Sequence, residues 1–111
     1  MTGPPIGHQI ITVIRRTSGP PDRLGVPTQV ETRHDVSGCS VQPVGTDEQL
    51  SNVDLVVTRW RLYAPADADV VVTDAVIAGG LTYEVDGDPQ VWPDIRGQPH
   101  HLEAYLRRAT G

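Results

Sequence analysis

The chain has 111 residues, nine arginines, no lysine, no phenylalanine, a single cysteine and a formal net charge of −5, which fits one domain with an adequate core. It holds no run of about 18 apolar residues, so no helical membrane span is expected, and Cys39 alone excludes both an internal disulfide and a thiolate zinc cage built by one chain. The acidic balance argues against a module that grips DNA by neutralising phosphates; such a chain lines a nucleic-acid path more readily than it holds one.

Met1–Gly7 is a Gly/Pro-rich arm without the basic and apolar regions of a secretory leader. His8–Arg16 (HQIITVIRR) is rich in β-branched residues and predicts a strand with apolar residues on both faces. Thr17–Thr28 holds three prolines and two glycines and reads as a long loop. Gln29–Val44 is extended. Val30, Thr32, His34 and Val36 share one face, and Cys39 and Val41 take the opposite parity, so a β-bulge at Ser37–Gly38 is needed to keep the register. Gly45–Val53 is a second connection in which one helical turn fits Asp47–Leu50, capped by Thr46 or Asp47.

Asp54–Tyr63 (DLVVTRWRLY) gives the clearest strand. Val56, Thr58, Trp60 and Leu62 form a core face; Leu55, Val57, Arg59, Arg61 and Tyr63 form the other. Asp69–Thr73 predicts a short strand. Ala75–Ala78 and Leu81–Val85 flank Gly79–Gly80, a tight hairpin signal, and Asp86–Pro89 predicts a turn. His100–Arg108 is helical by propensity, whereas the need to protect a barrel edge favours a strand. No internal repeat stands out. The pattern predicts a mainly all-β fold, a small antiparallel β-barrel with long loops over residues 8–108, followed by a short tail at 109–111.

The order of these phrases resembles the head-to-tail stopper (head-closure, or head–tail joining) proteins of long-tailed bacteriophages, the actinobacteriophage variants above all. The phrases are ITVIRR, then Asp22-Arg23-Leu24-Gly25, then Val36-Ser37-Gly38-Cys39-Ser40-Val41-Gln42-Pro43. They continue with Asp47-Glu48, Arg61-Leu62-Tyr63-Ala64-Pro65, Gly80–Pro89 and His100–Arg108. The resemblance covers residues 8–108 and rests on structural phrases, not catalytic signatures. It implies a β-barrel that forms a homo-oligomeric ring with a central channel in the virion's head–tail junction. The portal and adaptor lie above such a ring, the tail terminator or tail tube below, and packaged double-stranded DNA inside; assembly takes place in the host cytoplasm. It also implies that His100–Arg108 is a strand. In such stoppers a loop can narrow the channel. By position this is Ser18, Gly19, Pro20, Pro21, Asp22, Arg23, Leu24 and Gly25, or alternatively Thr46, Asp47, Glu48, Gln49 and Leu50. Other readings are a different neck protein, such as the tail terminator, or a small β-barrel ligand-binding domain.

No catalytic, metal or cofactor site is expected. His100 and His101, adjacent on a strand, point to opposite faces. Asp86, Asp88 and Asp94 do not fit a calcium loop, because the twelfth position is Gly97. Cys39 is read as a buried thiol, with His34 across the pleat unless the bulge alters that. No nucleophile elbow or phosphate loop is present. Arg59, Arg61 and Tyr63, sharing one strand face, and Trp92 are the candidate subunit-interface residues. Trp60 is assigned to the core.

Overall fold

A computed structural model describes residues 7–45 and 57–109. Within them lie six strands: β1 (Gln9–Gly19), β2 (Thr28–Gly45), β3 (Val57–Pro65), β4 (Ala75–Ala78), β5 (Leu81–Pro93) and β6 (Pro99–Arg108). They close into an antiparallel barrel in the order β1-β2-β3-β6-β5-β4. The expected all-β barrel is therefore the fold, and His100–Arg108 lies within β6. Its helix-compatible spacing yields to tertiary context, because β6 fills the gap between β3 and β5. The stretch 46–56, with the helical turn expected at Asp47–Leu50, falls outside the described residues, as do residues 1–6.

The inward faces follow the alternation in the sequence. Ile11 and Val13 of β1, Cys39 of β2, Leu62 and Ala64 of β3, and Leu102, Ala104 and Leu106 of β6 meet Val76, Ala78, Tyr83 and Val85 in one core. Only one face of β1 is continuously covered; on the other, Ile14 is buried but Ile10 is exposed. The Ser37–Gly38 bulge is present: Gln9 pairs with Cys39 and Ile11 with Val36, so β2 carries one extra residue there. That extra residue turns Cys39 and Val41 inward after Val36. Trp60 packs on the core and meets the Tyr83 ring edge-on, centroids 5.3 Å apart. Gly79 and Gly80, with φ of 58° and 80°, make the tight β4–β5 hairpin.

Three expectations are corrected. Asp69–Thr73 is not a strand but part of the connection from β3 to β4. The connection must cross the end of the barrel because these two strands are not neighbours, and it seats Val70 in the core as it passes. Asp86–Pro89 is not a turn. β5 runs through it, and because Asp86 pairs with Tyr105 and Gln90 with Glu103, the residues Gly87, Asp88 and Pro89 stand opposite Ala104 alone and bulge outward. Thr17–Thr28 is shorter as a loop than expected, since β1 extends to Gly19 and β2 starts at Thr28.

β1 pairs with β4 only from Thr12 to Ile14. Beyond Ile14 it continues with β2 alone, Arg15–Gly19 against Thr28–Thr32. The end of this hairpin is thus a two-stranded arm reaching roughly 17 Å past the barrel at about 3.4 Å per residue. Where β1 leaves β4, Arg15 donates to Asp74 through Nε (2.9 Å) and Nη2 (2.8 Å), and to Asp69 Oδ1 through Nη2 at 2.9 Å. The Asp74 side chain has 0% exposure and also accepts from the Val71 N–H at 2.9 Å. His34 reaches the Asp69 carbonyl at 2.9 Å; the carbonyl accepts, so Nε2 carries the proton.

Breaking a buried ion pair strands its remaining charge, so Arg15→Ala should cost about 3–5 kcal/mol in urea unfolding. The hydrogen bond from Arg15, above all, holds the Asp69 carboxyl below its ordinary value of 3.8. A depressed carboxylate stabilises the fold above that value and loses its contribution as pH falls through the lower folded one. Wild-type stability should therefore fall on acidification below pH 3.8, and Asp69→Asn should flatten that limb modestly, since the Asp69 side chain is 62% exposed.

Candidate functional site

Three of the four expected interface residues share one surface. Arg59, Arg61 and Trp92 line a groove of about 650 Å³ on the outer wall of β3, β6 and β5, together with Asp86, Asp88, Gln90, Glu103 and Tyr105. Tyr63 stands at its edge, its hydroxyl accepting from Arg61 Nη1 at 3.4 Å. Arg59 and Arg61 both lie over the Tyr105 ring, 4.2 and 4.7 Å from its centroid, and Arg61 also donates to the Tyr105 hydroxyl. The cross-strand register explains the assembly: Arg61 is opposite Tyr105, Tyr63 opposite Glu103, Glu103 opposite Gln90, and His101 opposite Trp92. Trp92 lies on β5 rather than in a turn, and is 48% exposed. The outward bulge at Gly87–Pro89 gives the groove its rim.

The candidate channel loop divides in two. Ser18 and Gly19 belong to β1, while Pro20–Gly25 form the apex of the arm. The alternative, Thr46–Leu50, lies outside the described residues.

The apex reveals a repeat that the sequence reading missed. Pro21-Asp22-Arg23-Leu24-Gly25-Val26-Pro27 and Pro93-Asp94-Ile95-Arg96-Gly97-Gln98-Pro99 share the pattern Pro-Asp-x-x-Gly-x-Pro. Both form hairpin tips with the same bonds. Asp22 Oδ1 accepts from Leu24 N (2.8 Å) and Val26 N (2.9 Å); Asp94 Oδ1 accepts from Arg96 N (2.8 Å) and Gln98 N (3.0 Å). Backbone bonds join Asp22 N to the Val26 carbonyl and Gly25 N to that of Asp22, and likewise Asp94 to Gln98 and Gly97 to Asp94. Each glycine has positive φ, 79° and 83°, as a three-residue loop closed by a glycine bulge requires. The signal was legible in the shared spacing, but each copy reads alone as an ordinary turn.

Both tips lie at the same end of the barrel. Every neighbouring pair is antiparallel, so β1, β3 and β5 run one way and β2, β4 and β6 the other. The β1–β2 and β5–β6 turns therefore point together, away from Gly79–Gly80. Each tip exposes one arginine and one aliphatic residue: Leu24 is 86% exposed and Ile95 97%.

The remaining candidates resolve plainly. Cys39 is buried, and burial pushes its thiol up to about 11. Its nearest acceptor is the Val36 carbonyl at 3.5 Å, and His34 is held by Asp69 instead. The two histidines of β6 do not splay apart. Trp92 pairs with His101 and Pro93 with Pro99, which leaves His100 in a bulge, and its Nδ1 comes within 3.0 Å of His101 Nδ1. With Glu103 accepting from His101 Nε2–H at 2.7 Å, a neutral His101 presents Nδ1 as acceptor to His100. Among the described residues no group of three metal-ligating side chains converges.

No protein-family model matches the chain, and no curated protein sequence does. Among solved structures, the fold is similar to that of the phage-like element PBSX protein xkdH of Bacillus subtilis. The TM-score is 0.52 at 19% identity, over 91% of this chain and 92% of that one.

Gly25→Ala and Gly97→Ala should each destabilise by about 1–2 kcal/mol through the positive φ alone, read as lowered unfolding midpoints, since added Cβ atoms there meet nothing within 4 Å. Cys39 should stay unreactive toward a thiol reagent at pH 8 in the folded protein and react fully in denaturant.

Proposed function

We propose that this chain is a non-enzymatic structural subunit of a tailed-phage neck, a head-to-tail stopper that forms a ring beneath the portal and adaptor. The ring helps retain packaged DNA in its channel and offers a docking surface to the tail terminator or tail tube. The observation that carries the reading is the likeness of fold, over nearly the whole of both chains, to a protein of a phage-like element. It joins the ordered sequence phrases described above, which extend over the same span.

The surfaces support an assembling role. A ring contact that closes by rotation needs two different patches on each subunit, and the barrel presents two: a projecting arm and a lateral groove. Retaining DNA calls for obstruction more than affinity, because the genome must later leave. An acidic wall repels phosphate, and a net charge of −5 per copy, repeated around a ring, suits that task. The groove fits a contact surface better than a reaction centre. Its arginines are stacked on Tyr105 and paired with Asp86 and Glu103.

Imaging virions that carry this chain tests the proposal. The expected result is a ring of barrels between adaptor and tail, and deletion of the gene should yield filled heads that leak DNA and lack tails. Density at the tail's own upper end would replace the stopper with a tail terminator, and absence of the polypeptide from purified necks would sink the reading.

A further inference from the structure

We infer that the ring is closed by the β1–β2 arm of one copy, whose apex residues Arg23 and Leu24 seat in the β3–β6–β5 groove of the next copy, on Asp88 and Trp92. The inference rests on the ring reading above and names the two surfaces that mate.

Most of the exposed large apolar residues among the described residues lie at these two places, the others being Ile10, Val71, Val72 and Leu81. Leu24, Val26 and Val30 lie on the arm, and Val91, Trp92 and Ile95 lie at the end of the β5–β6 hairpin, Trp92 lining the groove. Clusters of this kind on a small chain mark contact surfaces.

Charge is complementary in the same sense. Among the described residues Arg23, like Arg96 and Arg108, has no ion-pair partner, while on the arm Arg16 and Arg33 share Glu31. The Asp22 carboxylate beside Arg23 is spent on backbone N–H groups of the turn. In the groove, Asp86 meets Arg59 and Arg107, and Glu103 meets Arg61 and His101. Asp88, exposed on the bulge, has no ion-pair partner among the described residues. The inferred contact sets an uncommitted guanidinium beside an aliphatic side chain against an uncommitted carboxylate beside an indole.

Topology places the two patches correctly. In the closed order, β3 separates β2 from β6 on one side of the barrel and β4 separates β1 from β5 on the other. Arm and β5–β6 hairpin therefore stand on opposite walls at the same end, as a head-to-tail contact demands. The arm cannot fold back onto its own groove, because the turn is stiffened by the Asp22 bonds and the barrel lies between. An apex occupied in this way is not free to narrow the channel.

The test uses the full chain and introduced cysteines, with Cys39 buried and silent. The Leu24→Cys/Gln90→Cys variant, oxidised at high protein concentration, is expected to give a ladder of dimers, trimers and longer species on non-reducing gels. Mixing the two single variants should give the heterologous disulfide dimer in preference to either homodimer. Adding Arg23→Asp to the double variant should weaken the ladder about fivefold, and Asp88→Arg should restore it. Circular dichroism checks that each variant keeps the strand spectrum. Rings seen by imaging without this ladder would overturn the arm-in-groove contact and leave the ring standing. Monomers at every concentration, with no ladder, would overturn the contact, and virion images without a ring of this chain would remove the ring reading as well.

Discussion

The barrel depends on what happens at Arg15. The ladder that closes it, β1 against β4, runs only from Thr12 to Ile14, and at the next residue the backbone seam ends. There one guanidinium takes over from the seam. It binds the fully buried carboxylate of Asp74 on two nitrogens and holds Asp69 at the surface. Both aspartates belong to the β3–β4 connection, so the same clamp ties down the chain that crosses the barrel end and carries Val70 into the core. A buried carboxylate is costly unless its lone pairs are satisfied. Asp74 meets this condition with the guanidinium fork and the Val71 N–H. Closure, plug and arm thus share a single ionic junction.

The clamp also fixes where the arm begins. Past Arg15 the β1–β2 ribbon has no third strand, and a bare two-stranded ribbon is marginal in water. It is held at its root by Arg15 and at its apex by Asp22, whose carboxylate and backbone organise the turn. Its open edges carry arginine, glutamate and threonine, and Pro20, Pro21 and Pro27 remove N–H groups near the apex, which discourages indiscriminate strand pairing. A ribbon with a largely polar shaft and an apex that pairs Arg23 with Leu24 suits contact through its tip.

Much of this fold was legible in the sequence, for local reasons. The parity change between Val36 and Cys39 demanded a bulge, and Ser37–Gly38 supplies it. The alternation Trp60–Leu62 against Arg59–Arg61–Tyr63 separated core from wall on β3. What was not legible was set by partners distant in sequence. Val70–Val72 are β-branched and look like a strand, but the crossing from β3 to β4 leaves them no ladder to join. Asp86-Gly87-Asp88-Pro89 has turn composition, yet β6 pairs on both sides of it and converts the turn into a bulge. His100 and His101 obey strand alternation only if the register is unbroken, and it breaks at His100. The groove itself draws on three strands, and no single segment announces it; only Arg59, Arg61 and Tyr63, adjacent on β3, pointed there. The resemblance placed the last segment in a strand where propensity favoured a helix.

The two hairpin tips show how one backbone solution serves two chemistries. Aspartate at the first turn position and glycine at the fourth fix the same loop twice, and the prolines on either side fix its entry and exit. The two residues between are free to vary, and they are inverted: arginine then leucine at one tip, isoleucine then arginine at the other. On equivalent backbones this exchanges the positions of the charged and aliphatic groups. Two identical tips would compete for one complementary surface. Inverted tips on opposite walls present different surfaces from the same end of the molecule, an asymmetry that suits the proposed contact between unlike faces of successive copies.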